Sequence, residues 1–304
     1  MKNRKIFILA VVVIIACLTF SCKTAAVLTD LGAQLAGRAG LIDQNVADAI
    51  SVSSRAIGSA TEEITPEQEY YIGRAVGANI LSSYRIYTGD PTLTAYLNLI
   101  CNAITINSPK PDVFNGYHVA ILDSNEINAF ATSGGHIFIT RGLINAANSE
   151  DALASVIAHE VAHIQLQHSI KAIRTNRITQ AIMITGTAAT GAATGMNVNE
   201  LTDVFNETVG EIVLTLVNNG YSRDQEFEAD NMAMGLLASA GYNPSSLIEM
   251  LRELNTVQGR VPGGFNRTHP TPAQRLTNAE RTVGSHAVAD TRAFRQPRFE
   301  RVVR

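Results

Sequence analysis

The chain has no tryptophan, few aromatic residues (6%) and three cysteines in 304 residues. Cys17 and Cys22 lie in the N-terminal stretch, so Cys101 is the only cysteine of the remaining chain. That excludes a disulfide framework. Cys101 sits in the apolar run Leu97-Asn98-Leu99-Ile100-Cys101 and reads as a small buried hydrophobe. The net charge of −3 and the absence of a nucleic-acid-binding motif give no sign of a nucleic-acid partner. After the N-terminus no apolar run reaches the roughly 20 residues of a membrane span. Residues 178–197 are apolar, but their Gly and Thr content reads as a loosely packed helical insertion that can gate a site.

What the sequence does contain begins with a leader. Lys2, Arg4 and Lys5 precede an apolar run from Ile6 to Phe20, as in a secretory signal over residues 1–21. A cysteine after a small residue looks like a bacterial lipoprotein signal. Cys17 fits the cleavage pattern, but Cys22 is followed at once by polar chain and is the expected lipidated residue. Residues 22–61 read as one or two weak amphipathic helices, packed on the main body or acting as a spacer.

Thr65-Pro66-Glu67 is a helix start, and the first helix should run over about 66–84. Further helices are expected at about 91–106, 150–174, 201–218, 222–240, 245–256 and 272–283, with strands at 117–122 and 136–140. Asn148 is expected to cap the helix 150–174. Residues 286–304 show arginines without a pattern and read as a solvated tail. Together these give an α+β fold, mostly helical, with a small sheet.

The helix over 150–174 carries His159-Glu160-Val161-Ala162-His163, which reads HExxH. Residues four apart differ by about 40° on a helix, so both imidazoles can meet one metal ion. A carboxylate beside them can take a proton from water. A third histidine in the pattern HExxHxxGxxH is excluded, because Leu166 and Ser169 hold the Gly and His positions. His168, about 180° round a continuous helix from His159, should point away from the metal and be exposed.

The third ligand is then expected from Ser222-Arg223-Asp224-Gln225-Glu226-Phe227-Glu228-Ala229-Asp230. Glu226 and Asp230 share a face; one can bind metal and the other can hold a ligand histidine. Glu228 should point about 200° away from Glu226. Ala229 and Ala233 would let this helix approach the HExxH helix closely.

HEVAH followed by SRDQEFEAD resembles the HtpX/BepA-like zinc metalloendopeptidases, membrane-associated proteases of protein quality control. Asn128-Ala129-Phe130-Ala131-Thr132-Ser133-Gly134-Gly135-His136-Ile137 resembles that family's NAFA-x-PGG-x-I strand, with Ser133 in place of Pro. His269-Pro270-Thr271 with Arg275 resembles its HP-x-[ST]-x-x-R segment. The resemblance covers about 65–285 and implies a metallopeptidase domain over 62–285, of the soluble periplasmic branch. It implies one Zn²⁺ held by His159, His163 and Glu226, with Glu160 as general base and Asp230 behind the ligands. It also makes Gly134, Gly135, His136, Ile137 and Phe138 part of a sheet-edge strand on which an extended substrate lies. His269 would occupy the open metal position at rest or stabilise the oxyanion, or else simply start a helix. Arg275 would pair with a carboxylate near the site. The implied substrates are unfolded or misassembled envelope proteins at the periplasmic face of a membrane. The alternative is a chaperone or assembly factor that binds extended polypeptide and seldom cuts.

Overall fold

The computed structural model describes residues 22–41, 43–44, 47–48, 51, 64–171, 210, 213, 220–257, 265–269, 272–286 and 291–304. The leader with Cys17, the segment 178–197, nearly all of 201–218, Gly263-Gly264 and Pro270-Thr271 lie outside them. The chain divides into two units, Met1–Ile64 with Lys171–Thr208, and Thr65–Ile170 with Val209–Arg304. In the first unit the main described element is helix α1, Cys22–Arg38. All that follows concerns the second unit.

Its helices start where side chains can satisfy the free N–H groups of a first turn. Helix α2 (Pro66–Ser83) has a capping box, in which Thr65 Oγ1 accepts from Gln68 N–H and Gln68 Oε1 accepts from Thr65 N–H. Asp90 caps helix α3 (Pro91–Thr105).

Three short strands follow: β1 (His118–Leu122), β2 (Ala129–Thr132) and β3 (His136–Thr140). Their order in the sheet is β1-β3-β2, with β1 parallel and β2 antiparallel to β3. This corrects the expectation for Gly134–Thr140. Phe138 pairs with Ala120 on one side and Phe130 on the other, so β3 is the central strand and offers no edge to a substrate. The outer strands are β1, partly covered by the Ile86–Leu122 bridge, and β2. Thr140 N–H donates to Asn128 C=O, which puts Asn128, Phe130 and Thr132 in the hydrogen-bonded pairs. By alternation the backbone groups of Ala129 and Ala131 face outward.

The β2–β3 turn needs its glycines. Gly134 and Gly135 have φ of +77° and +100°, and a Cβ on Gly134 would lie 2.4 Å from Tyr70 Cα. Ser133, the departure from the family pattern, donates its hydroxyl to Glu69 C=O at 2.9 Å and ties the turn to α2.

After the short helix α4 (Arg141–Ala146) comes the central helix α5, Glu150–Gln165. Ser149, not Asn148, caps it, accepting from Ala152 N–H. Every residue of α5 is buried. Small side chains such as Ala154, Ala158 and Ala162, all fully buried, allow neighbours to close on all sides. The helix ends at Gln165, well short of 174. Gln167 takes a left-handed φ of 57°, and a new helical turn starts at His168.

Helix α6 (Arg223–Ser239), opened by a Ser222–Gln225 capping box, packs along α5 with Ala229 and Ala233 fully buried. Helix α7 (Ser245–Val257), the single turn α8 (Phe265–Thr268) and helix α9 (Pro272–Thr282) follow. The last helix, α10 (Arg292–Val303), corrects the reading of a solvated tail. Arg295 pairs with both oxygens of buried Asp151 at 2.8 Å, and Arg298 binds buried Glu150, which also accepts from the Tyr96 and Tyr242 hydroxyls. Those carboxylates lie in the first turn of α5, so charge draws the arginines in beside the buried Phe299.

Candidate metal centre

Helix α5 delivers His159, Glu160 and His163; α6 delivers Glu226 and Asp230; the segment after α8 delivers His269; α9 delivers Arg275. One ligand atom from each of His159, His163, Glu226 and His269 falls within 4.8 Å of the others. His159 Nε2 lies 3.0 Å from His163 Nε2 and 3.2 Å from His269 Nδ1. Glu226 reaches them with Oε1 3.4 Å from His163 Nε2 and Oε2 3.5 Å from His159 Nε2. None of the four residues is more than 2% exposed. Three imidazole nitrogens and a carboxylate converging in an apolar interior are a donor set suited to zinc and similar cations.

The outer partners fix the rings. His159 Nδ1 sits 3.0 Å from Asp230 Oδ1. Arg275, fully buried, donates to both Asp230 oxygens at 2.9 and 2.7 Å, and its Nη1 is 3.0 Å from Glu226 Oε2. The expected pairing of Arg275 with a carboxylate is therefore present, with two carboxylates rather than one. Tyr221 stacks on His163 with centroids 4.1 Å apart and planes 16° from parallel.

One placement differs from the sequence expectation. His168 is fully buried, with Nδ1 2.8 Å from His163 Nδ1. The expectation assumed a helix continuing past Gln165, and the break at Gln167 swings His168 back beneath the site. Glu228, which was expected on a different side of α6 from Glu226, meets His168 there, with Oε2 3.3 Å from His168 Nε2. Gly134–Phe138 are engaged by β1, β2 and α2, and His136 stacks on Tyr70 at 5.3 Å. Sequence reasoning also passed over Tyr221; its place directly before the Ser222 cap was the available signal, because an apolar residue there packs back on the fold.

Charges in the site are set by burial and by neighbours. Burial raises the pKa of Glu160, whose two oxygens accept no hydrogen bond from the described residues. His269 Nε2, 3.4 Å from Glu160 Oε1, is the nearby cation when protonated. Burial opposes ionisation of Glu226 too, but His269 and Arg275 outweigh it and hold this carboxyl well below its usual range. Burial holds His163 well below the ordinary imidazole value. Burial and Arg275 oppose protonation of His159, yet Asp230 and Glu226 raise it to about 9.

The description Peptidase family M48 matches residues 94–283, which include every residue of this centre. The chain belongs to that family. It is 24% identical over 241 residues to the beta-barrel assembly-enhancing protease of Yersinia pestis, covering 73% of this chain and 49% of that protein. It is 28% identical over 210 residues to the mitochondrial metalloendopeptidase OMA1 of Schizosaccharomyces pombe, covering 67% of this chain and 55% of that protein. With metalloprotease LoiP of Escherichia coli (strain K12) it shares 29% over 182 residues, 59% of this chain and 66% of that one. The chain thus spans about half the length of the first two relatives. Family membership implies a metal ion, for which the cluster is the candidate site, and no helix among the described residues is long and apolar enough to cross a membrane.

Proposed function

We propose that this chain is a zinc endopeptidase of the bacterial envelope that cleaves unfolded or misassembled envelope proteins. The observation that carries the reading is the pairing of the four-residue cluster with Glu160, a buried carboxylate whose oxygens accept no hydrogen bond from the described residues. A buried unpartnered carboxylate is costly and persists where chemistry uses it. A polypeptide-binding factor that does not cut has no use for it, which argues against the chaperone alternative.

His159, His163 and Glu226 would hold the ion, with Asp230 and Arg275 keeping His159 and Glu226 in place. Zinc, when bound, polarises a peptide carbonyl and acidifies a water. Glu160 takes the water's proton and delivers it to the leaving amine. The substrate would lie along the outer edge of β2, using the outward backbone groups of Ala131 and the carbonyl of Ala129, whose N–H already donates to Asn128 Oδ1 at 2.9 Å; backbone groups bind any sequence alike. Both residues are buried, and so are the ligands. The closed site, with His269 Nδ1 3.1 Å from Glu226 Oε1, supports a resting state in which His269 fills the position a water needs. The name of the Yersinia relative, beta-barrel assembly-enhancing protease, supports substrates of the envelope. Attachment would be through lipid on Cys22, which mass spectrometry of the mature N-terminus tests; a modified Cys17 or an unmodified terminus refutes it.

The deciding experiment compares wild type with Glu160→Gln for zinc content and cleavage of an unfolded protein. Zinc retained with cleavage abolished is expected; substantial cleavage by the variant overturns the mechanism. His269→Ala should cleave faster than wild type if the ring closes the site, and slower if it stabilises the oxyanion.

A further inference from the structure

The two histidines of α5 are backed differently. His159 turns Nδ1 to the Asp230 carboxylate. His163 turns Nδ1 to a second imidazole, His168 Nδ1 at 2.8 Å. His168 Nε2 lies 3.3 Å from Glu228 Oε2, and that glutamate side chain is 57% exposed. A line of hydrogen-bonding groups therefore runs from solvent to a metal ligand.

Such a line can be ordered in only one direction. His163 Nε2 faces Glu226 and His159, so a lone pair offered there requires the ring hydrogen on Nδ1. His168 Nδ1 must then accept, which puts its own hydrogen on Nε2. The group facing that hydrogen is the Glu228 carboxyl oxygen Oε2, 3.3 Å away and placed to accept it. Glu228 thus selects the tautomer of His168, and His168 selects that of His163.

We infer that His168 and Glu228 are positioning residues for this metal centre, holding His163 with its Nε2 lone pair toward the ion. The inference rests on the reading of His163 as a ligand. The local fold serves the same end. The left-handed Gln167 returns the chain beneath His163, and its side-chain amide is pinned to the Glu69 carboxylate. Tyr221 lies flat against the His163 ring, which fixes its plane, while His168 fixes its rotation within that plane. A ligand held in this way loses less freedom when the ion binds.

The test uses the full chain as wild type, His159→Ala, His168→Ala, His168→Asn and Glu228→Ala. Zinc affinity is measured by chelator competition, the visible spectrum after cobalt(II) exchange reports ligand geometry, and the metal-free thermal midpoint reports the fold. Wild type should bind one zinc and His159→Ala should not. His168→Ala should weaken zinc about ten- to hundred-fold and shift the cobalt bands. His168→Asn should recover most of the loss, because Oδ1 replaces Nδ1 as acceptor. Glu228→Ala should weaken zinc severalfold with its metal-free midpoint unchanged, since that side chain is largely exposed; this variant decides the matter if His168→Ala fails to fold. Wild-type affinity and cobalt bands in Glu228→Ala overturn the relay, as does a His168→Asn no better than His168→Ala. Undiminished zinc in His159→Ala would instead overturn the metal reading itself.

Discussion

Glu160 and Cys101 are both buried acids with raised pKa values, and they bear on different properties. Glu160 should matter to chemistry alone: Glu160→Gln is expected to lower proteolysis by about 10²–10⁴-fold, the usual contribution of a positioned general base, with zinc and thermal midpoint retained. Cys101 should matter to stability alone. Burial pushes its thiol up from 9.0 to about 12. As pH rises above 9 the unfolded chain gives up this proton first, so the fold's advantage is complete below that pH and is lost between 9 and 12. The slope is on the order of 1 kcal/mol per pH unit for one group. Tyr117, pushed up from 10.0 to about 12 by burial, adds to the loss from pH 10. Urea midpoints at pH 8 and 10.5 should therefore fall further apart in wild type than in Cys101→Ala. Equal falls would show that the thiol ionises as readily in the fold as outside it. At this scale His159, His163, Glu226 and Asp230 were legible in the sequence, because each pair sits four apart within an unbroken helix. His168 was not, because no glycine or proline marks Gln167, the residue that takes the left-handed turn.

Among the elements, the strands at 118–122 and 136–140 could be read from alternation, but their order could not. Sheet order is decided by long-range pairing, and β2, four residues long, carries its own signal only in the family-like motif. The consequence is that the substrate contact proposed above falls on β2 rather than β3. Ala131→Pro, which removes an outward-facing N–H, should raise KM for an unfolded substrate while zinc affinity stays at the wild-type value. An unchanged KM would place the substrate elsewhere. Helix α10 was hidden for another reason: Phe299 is its one fully buried apolar side chain, and its other anchors, Arg295 and Arg298, bind acids. Arg295→Ala leaves Asp151 buried without its cation and should cost about 3 kcal/mol, read as a lower urea midpoint. A loss below about 0.5 kcal/mol would mean that Asp151 is solvated despite its burial.

For the whole molecule, the metal should act as part of the fold, since its proposed ligands come from α5 and α6. Zinc at a hundred times its dissociation constant should add about 2.7 kcal/mol to wild-type stability and nothing to His159→Ala. Equal stabilisation of both would mean the ion binds elsewhere. The α+β class and the existence of the long helices followed from periodicity and caps, although α5 ends at Gln165 rather than 174; the approach of His269 to His159, 110 residues away in sequence, was signalled only by the family-like HP segment. One further consequence concerns the order of folding. Glu150 and Asp151 open the helix that presents His159 and His163, and their cations stand more than 140 residues later in α10. Until those arginines dock, the first turn of the ligand-bearing helix holds two carboxylates that resist burial, so the docking of α10 should secure the helix that presents His159 and His163.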